Sequence, residues 1–149
     1  MTPTDLAALH ALCFTSLRPW TEREFQDLID SPLVFLILPE NPIDIGFALG
    51  RVIADEAELL TIAVAPKCQR SGLGRALMKK FHQTARNRAA NTVFLEVADR
   101  NSGARALYES CGYTEIGRRK DYYNCADGTP QDAIVMSVHL GSRADQARF

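Results

Sequence analysis

A predicted strand, a glycine-containing loop and a long predicted helix follow one another in the middle of this 149-residue chain, and no other feature constrains the fold as strongly. Leu59 to Val64 is mostly apolar and predicts a strand, and Pro66 to Gly74 predicts a loop. Gly72 to about Arg88 predicts a helix, because apolar residues recur at intervals of four. These residues are Leu73, Leu77, Phe81 and Ala85. A strand that leads into such a helix indicates an α/β layer.

The segments before this unit predict two helices and two strands. Asp5 to Leu17 has apolar residues at helical spacing, namely Leu6, Leu9, Leu12 and Cys13. A second helix begins at Thr21, which forms a capping box with Glu24. Leu33 to Leu38 and Gly46 to Ile53 predict strands, and with the strand before the glycine loop they indicate an antiparallel meander.

The segments after the unit predict three strands and one further helix. Thr92 to Val97 predicts a strand, and Ser102 to Cys111 predicts a helix that ends at Gly112. Tyr113 to Tyr123 and Ala133 to Leu140 predict the last two strands. The resulting order β-α-β-α-β-β indicates a mixed sheet.

Size and composition favour one globular domain. A chain with 46% hydrophobic residues fits a single domain over residues 1–140, followed by a polar tail over residues 141–149. No run of about 18 apolar residues occurs, and the N-terminus lacks the features of a secretory signal. We therefore expect a cytoplasmic protein that does not enter membranes, as a monomer or a weak homodimer. The four cysteines lack metal-ligand spacing, so neither a metal site nor a disulfide framework is expected.

The net charge of −1 conceals two halves of opposite sign. Residues 1–66 carry 3 basic and 10 acidic side chains, whereas residues 67–149 carry 14 basic and 8 acidic ones. Such an asymmetry marks either a surface for a charged partner or chance, since charges distant in sequence mix in the fold. Of the 17 basic residues in the whole chain, 13 are Arg, the side chain suited to phosphate. The near-neutral total and the lack of a recognisable motif argue against nucleic acid. The acidic half suits a basic peptide.

The loop QRSGLGR, from Gln69 to Arg75, predicts a phosphate site. It precedes a helix N-terminus, where free backbone amides and the helix dipole favour anions. Gly72 and Gly74 allow an anion close to the backbone, and Arg70 and Arg75 add charge. The loop is neither a Walker loop nor a dinucleotide-binding fingerprint, because their further Lys and Gly residues are missing. A glycine-rich turn without a ligand is the plainer alternative.

Three segments resemble the GCN5-related N-acetyltransferase (GNAT) family: LLTIAVAPKCQRSGLGRALM, FLEVADRNSGARALYESCGY and GRRKDYYNCADGTPQDAIVM. They lie within Glu56 to Leu140 and are most similar to the bacterial ribosomal-protein alanine N-acetyltransferases of that family. The resemblance implies a mixed, mostly antiparallel sheet flanked by helices. The first strand of the family is truncated or absent, because only four residues precede Asp5. It also implies transfer of the acetyl group of acetyl-CoA to a protein N-terminal α-amine.

The resemblance further implies which residues contact acetyl-CoA. In the family, the glycine loop holds the pyrophosphate and the backbone of the preceding strand pairs with the pantetheine arm. The corresponding positions here are Ile62, Ala63, Val64, Gln69, Arg70, Ser71, Gly72, Leu73, Gly74, Arg75, Asn101 and Tyr108. Asn101 also fits an ordinary N-cap of the helix that follows it.

Glu96 is the candidate general base. Within the strand TVFLEV, Phe94 and Glu96 share one face, while Val93, Leu95 and Val97 share the other. The pattern alone predicts a solvent-facing carboxylate, but the resemblance implies a base. An α-ammonium with a pKa of about 7.7–8.0 must lose a proton before it attacks a thioester.

Three tyrosines complete the candidate site. Tyr108 fits core packing, but the resemblance implies that it protonates the departing CoA thiolate. Because a thiol of pKa about 8.5 is already a fair leaving group, we expect a modest effect. The resemblance also places Tyr122 and Tyr123 beside the substrate channel.

Three alternatives stay open at this point. A nucleophilic Cys68 or Cys111 is one, although neither has a histidine nearby in the sequence. A lysine side chain or a small amine as acceptor is the second. A non-catalytic sensor that binds acyl-CoA is the third, and the presence of both Glu96 and Tyr108 argues against it.

Overall fold

The computed structural model describes residues 1–14, 17–125 and 127–141, which contain six strands and four α-helices. The helices are α1 (Pro3–Cys13), α2 (Glu22–Ile29), α3 (Leu73–Asn87) and α4 (Ser102–Ser110), and a 3-10 turn spans Pro66–Cys68. The strands are β1 (Val34–Ile37), β2 (Gly46–Ile53), β3 (Glu56–Val64), β4 (Thr92–Ala98), β5 (Thr114–Asn124) and β6 (Pro130–His139). Residues 142–149, most of the predicted polar tail, lie outside the described residues.

The strands form one sheet in the order β1-β2-β3-β4-β6-β5. Every neighbouring pair is antiparallel except β3 and β4, which are parallel and connected through α3. The predicted meander of β1 to β3 and the predicted mixed, mostly antiparallel sheet are therefore confirmed. The sequence did not reveal that β6 lies between β4 and β5.

The first helix differs from its prediction at both ends. It begins at Pro3 with Thr2 as N-cap, so no strand precedes it among the described residues, and β1 is the first strand. It ends at Cys13 rather than Leu17, because the backbone of Phe14 leaves the helical conformation and Leu17 instead pairs with Cys125. Leu12, which was expected on the apolar face, is 63% exposed.

Helices cover both faces of the sheet. Alternating residues of β2 show this, since Phe47 packs in a cluster with Leu6 and Phe25, from α1 and α2. Ala48 belongs to a second cluster that contains Phe81 of α3. The side chains of α4 pack into this second cluster as well. None of the helices in the described part of the chain is long and apolar enough to cross a membrane.

The sheet opens between β3 and β4. The two strands pair only from Glu56, opposite Thr92, to Leu59, opposite Leu95. Beyond Leu59, β3 remains paired with β2, and β4 remains paired with β6. A bulge marks the point of departure, because Leu60 of β3 has no partner where the β2–β3 register shifts. A gap therefore opens between the carboxyl-terminal ends of β3 and β4.

Candidate active site

Two adjacent cavities meet at this gap. The loop cleft, of about 590 Å³, is lined by Cys13, Phe14, Ile62, Ala63, Val64, Gln69, Arg70, Gly72, Gly74, Arg75, Asn101, Gly103, Ala104, Leu107 and Ser110. The aromatic cavity, of about 460 Å³, is lined by His10, Phe14, Leu17, Arg18, Trp20, Leu59, Leu60, Thr61, Ile62, Glu96, Val97, Ala98, Asn101, Ala104, Tyr108, Tyr122, Tyr123 and Asn124. Both walls include Phe14, Ile62, Asn101 and Ala104, so the two cavities are neighbours across shared side chains.

The loop cleft presents the N-terminus of α3, which makes it a candidate anion site. The N-cap of α3 is Gly72, which makes no side-chain capping bond and has a left-handed backbone with φ of 86°. Arg70, two residues earlier, also has a positive φ of 63°. Such turns make concave groups of backbone N–H donors, and the free amides of the first helical turn add to them. Arg70 and Arg75 both line the cleft and supply positive charge.

Other residues of the loop hold its shape. The Gln69 side chain donates to the carbonyl oxygen of Val64 at 3.2 Å, and the Ser71 hydroxyl donates to that of Cys68 at 2.5 Å. Leu73 points into the hydrophobic core and is 6% exposed, so only its backbone is available to a ligand in the cleft. The structure thus places backbone and glycine, more than side chains, at the anion site.

The aromatic cavity brings Glu96 and Tyr108 together. The alternation along β4 holds, with Phe94 and Glu96 less buried than their neighbours. Glu96 is about a quarter exposed and forms an ion pair with Arg119, in which the Arg119 Nε lies 3.1 Å from the Glu96 Oε1. Tyr108 lies on α4 and is 6% exposed, and its burial raises the phenol pKa well above its usual value. Tyr108 therefore keeps its proton at neutral pH, where it is available as an acid.

Tyr122 and Tyr123 reach the same cavity because β5 is irregular. Arg119 stands opposite Ala133 of β6, whereas Tyr123 stands opposite Gln131, so β5 has two more residues than β6 in this interval. A regular strand would direct consecutive side chains to opposite faces. The bulge instead lets both rings line the cavity, with centroids 5.1 Å apart. Burial and the nearby Glu96 raise the pKa of Tyr123 to about 12.

His10 is a cavity residue that the sequence reasoning missed. It is 2% exposed, its Nδ1 accepts the backbone N–H of Trp20 at 3.1 Å, and its Nε2 lies 3.3 Å from the Thr61 hydroxyl. Its ring stacks on Phe14 at 4.0 Å. Burial lowers its pKa to about 4, so the ring is neutral and couples α1 to β3 through hydrogen bonds. The signal was its position four residues after Leu6, on the apolar face of α1.

Cysteine chemistry finds little support in this arrangement. Cys68 and Cys111 pack against the hydrophobic core. Cys13 does line the loop cleft, but its thiol donates to the Val64 carbonyl at 3.2 Å, and burial raises its pKa. A thiol that stays protonated is a poor nucleophile.

The family to which this site belongs follows from comparison with known proteins. The model of the acetyltransferase (GNAT) family matches residues 4–113 of the chain. The chain belongs to the GNAT family. The GNAT sheet and helices predicted from the sequence are those observed. As a GNAT enzyme, the chain is an acyltransferase that uses acetyl-CoA.

The chain is similar to particular GNAT enzymes in both sequence and structure. The chain is 40% identical to the "[Ribosomal protein bS18]-alanine N-acetyltransferase" of Escherichia coli K12 over 138 residues, which is 92% of this chain and 93% of the relative. It is 36% identical to the enzyme of the same name from Haemophilus influenzae, over 83% of this chain and 84% of the relative. The crystal structure of the E. coli enzyme superposes with a TM-score of 0.83 at 34% identity, over 93% of this chain and 88% of that one.

A more distant GNAT structure shares the fold alone. Arabidopsis thaliana NAA60 in complex with acetyl-CoA gives a TM-score of 0.76 at 17% identity, over 93% of this chain and 95% of that one.

The loop cleft of this GNAT chain fits acetyl-CoA. Its uncapped helix N-terminus, with Gly72, Arg70 and Arg75 beside it, suits a pyrophosphate. The stretch of β3 that follows the Leu60 bulge no longer pairs with β4, so on that side it leaves backbone groups for an extended arm. The amide oxygen of Asn101 accepts the Ala104 N–H at 3.2 Å, which confirms it as the N-cap of α4.

Proposed function

We propose that this enzyme acetylates the N-terminal alanine of ribosomal protein bS18. The observation that carries the proposal is 40% identity, over nearly the whole of both chains, to the E. coli enzyme named for that reaction. The cytoplasm is the proposed location, because ribosomal proteins meet their enzymes there, and a monomer or a weak homodimer is the proposed state.

On the cofactor side, the residues of the loop cleft would bind and orient acetyl-CoA. The amides at the start of α3, with Arg70 and Arg75, would hold the pyrophosphate. Gln69 and Ser71 would keep the loop in shape through their bonds to Val64 and Cys68. The backbone of β3 from Ile62 to Val64 would pair with the pantetheine arm and direct an N–H at the thioester oxygen. Asn101 lines both cavities and would contact the cofactor where they meet.

On the acceptor side, the aromatic cavity would hold the peptide α-amine. Glu96 would accept the proton that the α-ammonium loses. The nitrogen lone pair would then attack the thioester carbon, forming the C–N bond as the C–S bond breaks. Tyr108 would give its phenolic proton to the departing sulfur. The nitrogen would release its second proton to water as the amide forms, and Tyr108 would take a proton back from water. Tyr122 and Tyr123 would flank the first residues of the peptide.

The alternative of a non-catalytic sensor gains no support from the arrangement. A sensor without catalysis would not need Glu96 and Tyr108 in one cavity. The expected attraction of a basic peptide by the acidic half is weakened too, because Glu96 is the acidic residue that lines the described cavity and it belongs to the basic half.

Acetylation of three acceptors would test the proposal. The first is a peptide with the N-terminal sequence of bS18, beginning with alanine and with a free α-amine. The second is the same peptide with a blocked N-terminus and a free lysine, and the third is intact bS18. We expect the acetyl group, located by mass spectrometry, on the alanine nitrogen of the first and third. Acetylation confined to lysine, or none in any acceptor, would overturn the proposal.

A further inference from the structure

Arg119 contacts two residues that line the aromatic cavity. Its side chain extends from β5 across β6 to Glu96 on β4, with Nε 3.1 Å from Oε1. The same guanidinium lies over the ring of Tyr122, with Cζ 5.3 Å from the ring centroid. Arg119 is the last paired residue before the bulge of β5, and the bulge brings Tyr122 back beside it. An ion pair with Glu96 and a cation–π contact with Tyr122 therefore both hold the guanidinium beside the general base.

This contact engages one oxygen of the Glu96 carboxylate. Arg119 approaches Oε1, and no other cation among the described residues forms an ion pair with Glu96. A carboxylate has two oxygens that accept hydrogen bonds, so an acceptor amine can bind at Oε2 while Arg119 remains at Oε1. The reacting nitrogen would then share its carboxylate with a fixed positive charge.

The charge balance of this group depends on Arg119. With Arg119 present, an ammonium, a carboxylate and a guanidinium together carry +1, and loss of one proton brings them to zero. Without Arg119, the ammonium and the carboxylate are already neutral, and loss of the proton leaves −1. A like charge nearby lowers the pKa of an ammonium group, so the guanidinium favours the neutral amine that can attack.

The other ionisable groups around the cavity do not cancel this charge. His10 on α1 is neutral, and burial raises the pKa of the Tyr108 and Tyr123 phenols, which therefore stay uncharged near pH 7. Arg18, which also lines the cavity, forms an ion pair with Glu24 at 2.7 Å. The neighbouring Arg118 on β5 is paired with Asp99 and Asp132.

We propose that Arg119 is a positioning residue that keeps the bound acceptor amine neutral, by holding a positive charge on the general base Glu96. The proposal rests on the proposed function in taking a peptide α-amine as the acceptor. Arg119 raises kcat near neutral pH, because more of the bound acceptor is reactive. It also weakens binding of the charged acceptor, so it raises the peptide KM as well.

The test compares Arg119→Gln, Arg119→Lys and the wild type. The control, Lys120→Gln, removes the same charge from the adjacent exposed residue of β5. Arg119 is 58% exposed, so its substitution should leave the fold intact. The measurement is kcat and KM for the alanine-first peptide, at saturating acetyl-CoA, between about pH 5 and pH 10.

We expect Arg119→Gln to move the acidic limb of the kcat profile up by about one pH unit and to lower kcat near pH 7 by about tenfold. Its peptide KM should fall, and its kcat should approach that of the wild type at the alkaline end. Arg119→Lys should keep the wild-type limb, and Lys120→Gln should change neither value. A kcat reduced equally at every pH, or an unmoved limb in Arg119→Gln, would overturn the proposal.

Failure of the proposed function gives a different result. In that case the wild type acetylates another amine, and the profiles are measured with that amine. Because a positive charge acts on any ammonium bound at Glu96, the shift of the limb still decides whether Arg119 has this role.

Discussion

The loop cleft and the aromatic cavity meet at one gap, but backbone groups form most of the anion site in the first, whereas side chains form most of the second. The anion site of the loop cleft comes from one continuous segment, Gln69 to Arg75, and mainly from its backbone and the start of α3. The aromatic cavity collects side chains from α1, β3, β4, α4 and β5. A site of contiguous backbone can be recognised in a sequence as a motif. A site of dispersed side chains depends on register and bulges, so its members must be found one at a time.

The largest effect should come from the aromatic cavity, through Glu96→Gln. Loss of the base should lower kcat by about 10²- to 10⁴-fold, because the amide cannot accept the proton of the α-ammonium. The KM for acetyl-CoA should not change, since the loop cleft is untouched. Glu56→Gln, at the exposed start of β3, is the matched control and should keep full activity. Steady-state kinetics measure kcat for both variants. A wild-type kcat in Glu96→Gln would show that Glu96 is not the base.

A backbone change should produce the next effect, this time in the loop cleft. Gly72→Val places a β-branched residue at a φ of 86°, where strain costs about 1–3 kcal/mol. Relief of that strain distorts the anion site, so the KM for acetyl-CoA should rise by about tenfold while the peptide KM stays the same.

Gly128→Val controls for the strain itself. Gly128 has a φ of 84° in the turn between β5 and β6, with open space around it like Gly72. This variant should lose stability without a change in acetyl-CoA binding. An equal rise in KM for both variants would show that the loop cleft does not depend on its local backbone.

A smaller effect is expected from Tyr108→Phe in the aromatic cavity. Its kcat should fall by about tenfold, because the thiolate can also take its proton from water. Since burial raises the Tyr108 pKa, the proton needed for donation is lost only at high pH, and Tyr108 should add no alkaline limb below about pH 10. Tyr113→Phe removes another buried hydroxyl, 2.7 Å from His82, and should lower stability while kcat is kept. Equal kcat values for Tyr108→Phe and the wild type would refute the role of the acid.

The smallest expected effect concerns stability and two buried histidines. Burial lowers the pKa of His10 and of His82 to about 4, whereas an unfolded histidine titrates at about 6.5. Between these values the unfolded state binds more protons, so the free energy of unfolding should fall as the pH drops from about 6.5 to about 4. His10→Gln and His82→Gln should each flatten this slope in thermal unfolding. Only His10→Gln should also raise the peptide KM. If both variants have the same peptide KM, His10 does not contribute to acceptor binding.

Much of the fold was predictable because its signals are local. The apolar period of four in α3, the capping box of Thr21 and Glu24 and the alternation around Glu96 all appear as expected. The left-handed backbone at Gly72 is encoded by a glycine, the residue that adopts it at least cost.

The remainder depends on contacts between distant segments. The end of α1 at Cys13 follows from the pairing of Leu17 with Cys125, more than a hundred residues away. The position of β6 between β4 and β5 and the bulges in β3 and β5 likewise depend on strand pairing. Arg119 reaches Glu96 only through that pairing, and no local pattern marks it.

The break in the sheet between β3 and β4 has a consequence for the order of events in turnover. The loop cleft and the aromatic cavity share some lining residues, but most of their lining residues differ. One substrate therefore need not leave before the other binds. On the proposed function, acetyl-CoA and the peptide would occupy the protein together and meet beside Ile62 and Asn101, which line both cavities. We therefore expect a ternary complex, and initial rates measured with both substrates varied should give intersecting lines in double-reciprocal plots. The backbone hydrogen bonds that β3 and β4 do not make beyond Leu59 would thus be the condition for two substrates to lie side by side.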